Sequence, residues 1–176
     1  MQNGSEQFMV NGHKIDISIT DFWRWTYSDL SNDTNRSILA KFIVASALGF
    51  TRTSTEVAAT PRKPYNLLSQ DGYRIEVKST AYIQSWNPEH PDWISFRIDK
   101  IARHSDVYIF CVYKAMYKND SPLNLDLWDF YVLPAKTLHK KKPNKNIITL
   151  PSLMLLEPMW CDYYGIGETI RITMNA

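Results

Sequence analysis

Hydrophobic and polar positions change their spacing near the middle of this 176-residue chain. From Thr34 to Leu48 the sequence is apolar around most of a helix circumference, and Gly49 follows at a natural stop. This pattern predicts a deeply packed helix. After a polar stretch over residues 51–64, the pattern takes the period of two that is typical of strands. The predicted class is therefore α/β or α+β, with a mostly β core preceded by a buried helix.

Shorter elements are predicted on both sides of that helix. Ile15, Ile17 and Ile19 alternate with polar residues as in a strand, and the segment from Asp21 to Leu30 predicts a short aromatic helix with Asp21 as its cap. Further strand-like runs, rich in β-branched or aromatic residues, lie at Trp93–Ile98, Val107–Tyr113, Trp128–Leu133 and Ile147–Leu150.

Length and composition set the domain organisation. With 44% hydrophobic and 13% aromatic residues, the chain has enough apolar surface for one core and too few residues for two full-sized domains. We expect a single domain over residues 1–176, in which residues 1–14 are flexible and residues 153–176 form a C-terminal extension that adds a small strand pair. Cys111 and Cys161 are expected to be buried free thiols, which fits no secreted disulfide framework.

The composition also bears on location and partners. No apolar run is long enough to cross a bilayer or to act as a secretory signal, so we expect a cytoplasmic protein without membrane partners. A formal net charge of +2 permits nucleic acid binding without demanding it. One basic cluster stands out, and either contacts phosphates or forms a solvated loop: His139, Lys140, Lys141, Lys142 and Lys145.

The most informative segment runs from Tyr65 to Lys78 and reads Y-N-L-L-S-Q-D-G-Y-R-I-E-V-K. A three-residue hairpin loop ending at Gly72 would place Asn66 directly opposite Glu76 on the partner strand. A two-residue loop would instead pair Asn66 with Val77, so the relation between the two side chains depends on the turn.

The second strand of this hairpin places Arg74, Glu76 and Lys78 on one face. Oxygen ligands hold divalent metal ions in proteins, so the Glu76 carboxylate, the Val77 carbonyl and the Asn66 amide oxygen form a candidate site for Mg²⁺ or Mn²⁺. Lys78 would orient a water molecule or stabilise developing charge. The alternative is an ordinary charge pair between Glu76 and Lys78 on a solvated strand.

The hairpin with Glu76, Val77 and Lys78 on its second strand resembles the PD-(D/E)XK, or restriction-endonuclease-like, superfamily, whose signature is an acid on one strand followed by acid-x-lysine on the partner strand. The chain also resembles an uncharacterised prokaryotic group with this fold. That resemblance covers most of the chain up to about Leu133. It rests on D-F-W-R-W-T-Y-S-D-L at Asp21–Leu30, the helix after Asn35, the hairpin, A-Y-I-Q-S-W at Ala81–Trp86 and the strand from Ser105. It implies a central mixed sheet with flanking helices, a divalent metal ion, DNA as substrate and a possible homodimer.

The same resemblance assigns roles to individual residues. It implies a catalytic set of Glu76, Lys78 and Asn66, and the family usually has aspartate where this chain has Asn66. Gln84 joins this set as an assisting residue, because it follows in the same phase as Glu76 if the strand continues that far. The family also usually has glutamate in the buried helix where this chain has Lys41. If Lys41 points toward the site, it would join Arg74 and Lys78 in attracting phosphate and repelling a divalent cation.

Two function hypotheses follow. The first is a metal-dependent DNA endonuclease whose hydrolysis is weakened by Asn66 and Lys41. The second is a catalytically inactive nuclease-fold module that binds DNA or another protein. Other chemistries find less support, because the consecutive His104, Ser105 and Asp106 cannot converge as a catalytic triad, and the histidines and cysteines lack zinc spacing.

Overall fold

The computed structural model describes residues 4–30, 32–50, 65–83, 94–98, 104–117 and 119–176. The strands in these ranges are β1 Gln7–Val10, β2 His13–Ser18, β3 Leu67–Leu68, β4 Arg74–Ala81, β5 Ser95–Arg97, β6 Val107–Tyr113, β7 Trp128–Pro134, β8 Ile147–Thr149 and β9 Met159–Cys161. The α-helices are α1 Ile19–Tyr27, α2 Asp33–Ala47, α3 Ala135–Lys141, α4 Leu150–Met154 and α5 Ile166–Asn175.

A central mixed sheet organises the molecule. Its five strands follow the order β3-β4-β6-β7-β9, in which β4 and β6 are parallel and the other neighbours are antiparallel. All seven residues of β6 are buried, as expected of a central strand that is covered on both faces. The sheet and its flanking helices confirm the predicted mixed α and β class.

Two apolar clusters lie on opposite faces of this sheet. On one face, α2 and α5 pack against Ile75 and Val77 of β4 and their neighbours on β6 and β7. On the other face, α3 and α4 pack with β5 and β8 over Tyr108 and Phe110 of β6. The alternation along β4 therefore directs Glu76 and Lys78 to the α3 side of the sheet.

The long helix α2 is less buried than its sequence predicts. Asn32 caps its start by accepting a hydrogen bond from the backbone of Thr34, and Gly49, with φ of 78°, follows its end as predicted. The prediction of burial around most of the circumference is wrong, because Ile38 and Phe42 are 44% and 59% exposed. Only one face of α2 meets the sheet.

The N-terminal elements add no buried residue to this core. β1 and β2 form an antiparallel hairpin, although no element was predicted before Ile15 and flexibility was expected for residues 1–14. The helix that follows is capped by Ser18 rather than by the predicted Asp21, whose carboxylate instead accepts a hydrogen bond from the Ser18 backbone. No residue of β1, β2 or α1 is buried.

The C-terminal residues belong to the core rather than to an added strand pair. β9 joins the edge of the central sheet beside β7, and Ile166 and Ile170 of α5 are buried in the cluster beneath α2. Cys111 and Cys161 are buried and free, as predicted. Across the described ranges, no helix combines the length and apolar character needed to span a membrane.

Candidate functional site

The hairpin between β3 and β4 forms in the predicted register. Leu67 pairs with Ile75, and the backbone N–H of Ser69 donates to the Tyr73 carbonyl at 2.9 Å. Gly72 closes the three-residue loop with φ of 84°, the left-handed conformation that glycine adopts without strain. The two-residue alternative is therefore wrong, and Asn66 lies at the position that faces β4 beside Glu76.

Regular strand pairing ends at Asn66. Its backbone N–H donates to the Ile75 carbonyl at 2.9 Å, and its side-chain Oδ1 accepts a hydrogen bond from the Val77 N–H at 2.8 Å. The amide oxygen proposed as a metal ligand thus already serves the backbone of β4. Because it carries no formal charge, it is also a weaker magnesium ligand than a carboxylate oxygen.

Glu76 and Lys78 form a close ion pair, with 2.9 Å between Oε1 and Nζ. Their side chains are only 8% and 14% exposed, and they lie beside Tyr108 and Phe110 on β6. An ion pair on a solvated strand, the alternative interpretation of the sequence, would be far more exposed. The pair is instead a desolvated one in which the ammonium balances the carboxylate charge.

Arg74 belongs to a second ion pair at the start of the same face. Its guanidinium donates to both carboxylate oxygens of Asp106, at 2.6 and 3.0 Å, and its backbone N–H donates to Asp106 Oδ2 at 2.8 Å. The hydrogen bonds from Arg74 hold the pKa of Asp106 below its ordinary value, against the effect of partial burial. The predicted phosphate ligand is thus bidentately bound within the protein.

Two predicted site residues are not brought to this pair. Lys41 lies on α2, which packs against the Ile75 and Val77 face, and no hydrogen bond or ion pair joins it to Glu76 among the residues that the structure describes. Gln84 lies outside the described residues. Of the predicted site residues that the structure describes, it brings together Asn66, Glu76, Val77 and Lys78.

Tyr108 and Asp106 lie next to the candidate site. The sequence did not predict that they contact residues of β4. Tyr108 pairs with Glu76 across the β4–β6 ladder, and its hydroxyl lies 3.4 Å from His139 Nε2 on α3. Asp106 directly precedes the apolar run of β6, and a charged residue at that position marks the start of the strand. Its pairing with Arg74, 32 positions earlier, depends on strand order that local spacing does not reveal.

The donor set does not fit a tightly held Mg²⁺ or Mn²⁺. Magnesium usually requires one or two carboxylates in near-octahedral geometry, whereas here Glu76 is neutralised by Lys78 and the Asn66 oxygen is hydrogen-bonded. In the described part of the chain, no group of three or more His, Cys, Asp or Glu side chains could hold a metal ion.

No protein-family model matches the chain, and no curated protein matches it. The resemblance to the restriction-endonuclease-like superfamily therefore stays a prediction.

Proposed function

We propose that this chain is a restriction-endonuclease-like protein that binds DNA and that has lost efficient metal-dependent hydrolysis. The observation that carries the proposal is the hairpin register, which sets Asn66 beside Glu76 where two carboxylates would hold a metal ion. An ammonium from Lys78 now lies 2.9 Å from the remaining carboxylate. Because Lys78 balances the charge of this carboxylate, the pair attracts a divalent cation less strongly than two carboxylates would.

The substitution Asn66→Asp tests the proposal directly. An aspartate can accept the Val77 hydrogen bond with one oxygen and offer its second, charged oxygen to a metal ion beside Glu76. We expect no nicking of supercoiled plasmid by the wild-type protein with Mg²⁺ or Mn²⁺, and measurable nicking by Asn66→Asp. The matched control is Asn66→Asp with Glu76→Gln, which keeps the shape of the site and should be inactive.

Lys41→Glu sharpens the same experiment. Because α2 packs on the opposite face of β4, adding Lys41→Glu to Asn66→Asp should change the nicking rate by less than the first substitution does. A double variant that alone shows activity would contradict this placement of Lys41. Absence of DNA binding by every variant would contradict the proposed function itself.

An active endonuclease is the second candidate, because the predicted register of Asn66, Glu76 and Lys78 is present in the structure. It predicts plasmid nicking by the wild-type protein that Glu76→Gln abolishes. A homodimer, which would bring two such sites to one duplex, belongs to this candidate and can be measured by sedimentation.

A further inference from the structure

The exposed surface of α3 and the turn after it carries an unusual concentration of positive charge. Five lysines occur within residues 136–145, and no acid occurs from Phe130 to Leu156. The whole chain carries a net charge of only +2, so the remainder of the molecule is net negative. The net positive charge of the chain is therefore concentrated in residues 136–145.

The exposed lysines of this surface form no ion pair with the described residues. Among the described residues, none of the four most exposed members forms a salt bridge: Lys136, Lys140, Lys141 and Lys145. By contrast, four of the described arginines pair with nearby acids: Arg24, Arg36, Arg74 and Arg171. Their ammonium groups thus face solvent without a carboxylate partner in the described ranges.

Helix stability does not account for all of this charge. Cations near a helix C-terminus are favourable, which explains Lys140 and Lys141 in the last turn of α3. Lys136, however, lies in the first turn, where a positive charge is disfavoured, and it stands four residues before Lys140, a repulsive spacing for like charges. The arrangement of lysines weakens the isolated helix, which favours a role for these lysines in binding an anionic partner.

The position of α3 connects this surface to the candidate site. Ala135 and Leu138 pack in the same apolar cluster as Tyr108, which is the β6 neighbour of Glu76. The His139 ring meets the Tyr108 ring edge-on, with 5.9 Å between centroids. The lysines of α3 therefore lie on the same side of the sheet as Glu76 and Lys78.

We propose that the lysine surface of α3, comprising Lys136, Lys140, Lys141 and Lys145, binds the phosphate backbone of duplex DNA and holds the duplex over the Glu76 face of the sheet. The proposal rests on the proposed DNA-binding function and names the surface that performs it. Exposed Arg97 on β5, paired with Ile147 two residues beyond Lys145, continues the positive surface on this side. Backbone contacts of this kind carry little sequence information, so binding depends on salt more than on base sequence.

The test is fluorescence anisotropy of a labelled 25-base-pair duplex, roughly a typical site length, across a series of salt concentrations. The variant Lys136→Gln/Lys140→Gln/Lys141→Gln should lower the salt slope of log affinity by about 0.9 per lysine and weaken binding on the order of a hundredfold near 0.1 M salt. The corresponding lysine-to-arginine triple variant keeps the charge and should bind as the wild type does. The charge-matched control Lys14→Gln/Arg24→Gln/Arg171→Gln removes exposed charges elsewhere and should keep most of the affinity and slope.

Each outcome separates this inference from its premise. Equal losses in the α3 variant and the control, with helix content by circular dichroism unchanged, would overturn the α3 assignment and leave DNA binding in place. Binding to phosphatidylserine vesicles without binding to duplex DNA would overturn it in favour of a membrane surface. Absence of duplex binding by the wild-type protein at low salt would overturn both this inference and the proposed function.

Discussion

The two faces of β4 are both buried, but one carries apolar side chains and the other carries an ion pair. On one face, Ile75 and Val77 pack beneath α2 as ordinary core residues. On the other face, Glu76 and Lys78 are almost as inaccessible, yet they form an ion pair beside Tyr108. Burying charge costs free energy that apolar residues would not cost, so stability alone does not favour a charged pair on the second face.

The largest expected effect tests the apolar face. Ile75→Ala removes a side chain with no exposed surface and leaves a cavity beneath α2. We expect the free energy of unfolding to fall by about 4 kcal/mol. Urea denaturation followed by circular dichroism measures this change. A loss below about 1 kcal/mol, as exposed sites show, would mean that this face is not core.

The second prediction tests the charged face. Glu76→Ala leaves the Lys78 ammonium desolvated without its carboxylate, which should lower the free energy of unfolding by about 3 kcal/mol. Replacing both residues, as Glu76→Leu with Lys78→Met, should restore stability to within about 1 kcal/mol of the wild type or exceed it. The same denaturation experiment would contradict a functional reason for the pair if the double variant were the least stable of the three.

A smaller effect is expected at the start of β4, where Asp106 pairs with the half-exposed Arg74. The pKa of Asp106 is lowered from 3.8 in the folded protein, so its stabilising effect is complete well above that pH and disappears as the pH falls through the folded value. Asp106→Asn should therefore reduce stability at pH 7, and this deficit should shrink progressively as the pH falls below 3.8. Thermal unfolding midpoints at several pH values measure this, and a deficit that persists in acid would contradict it.

Local chemistry explains which features of the fold the sequence predicts. Gly72 and the alternation from Arg74 onward determine the hairpin register, and the apolar run from Val107 to Tyr113 identifies β6 to the residue. Such features depend on residues within a few positions of one another. The prediction of oxygen donors around Glu76 follows from the same local register.

Features that depend on packing between distant elements were not predictable in this way. Apolar residues occur around most of the circumference of α2, so periodicity could not show which side meets the sheet or that Phe42 stays exposed. The placement of Lys41 away from Glu76 follows from that packing. The strand β1 was missed because its four residues are all exposed and gain no signal from burial.

Calorimetric titration with Mn²⁺ tests the central claim, that Asn66 and Lys78 weaken metal binding at a nuclease-like hairpin. We predict weak binding by the wild-type protein, tighter binding by Asn66→Asp by about tenfold or more, and loss of that gain when Glu76→Gln is added. Tight wild-type binding that depends on Glu76, or an Asn66→Asp variant indistinguishable from the wild type, would contradict the account.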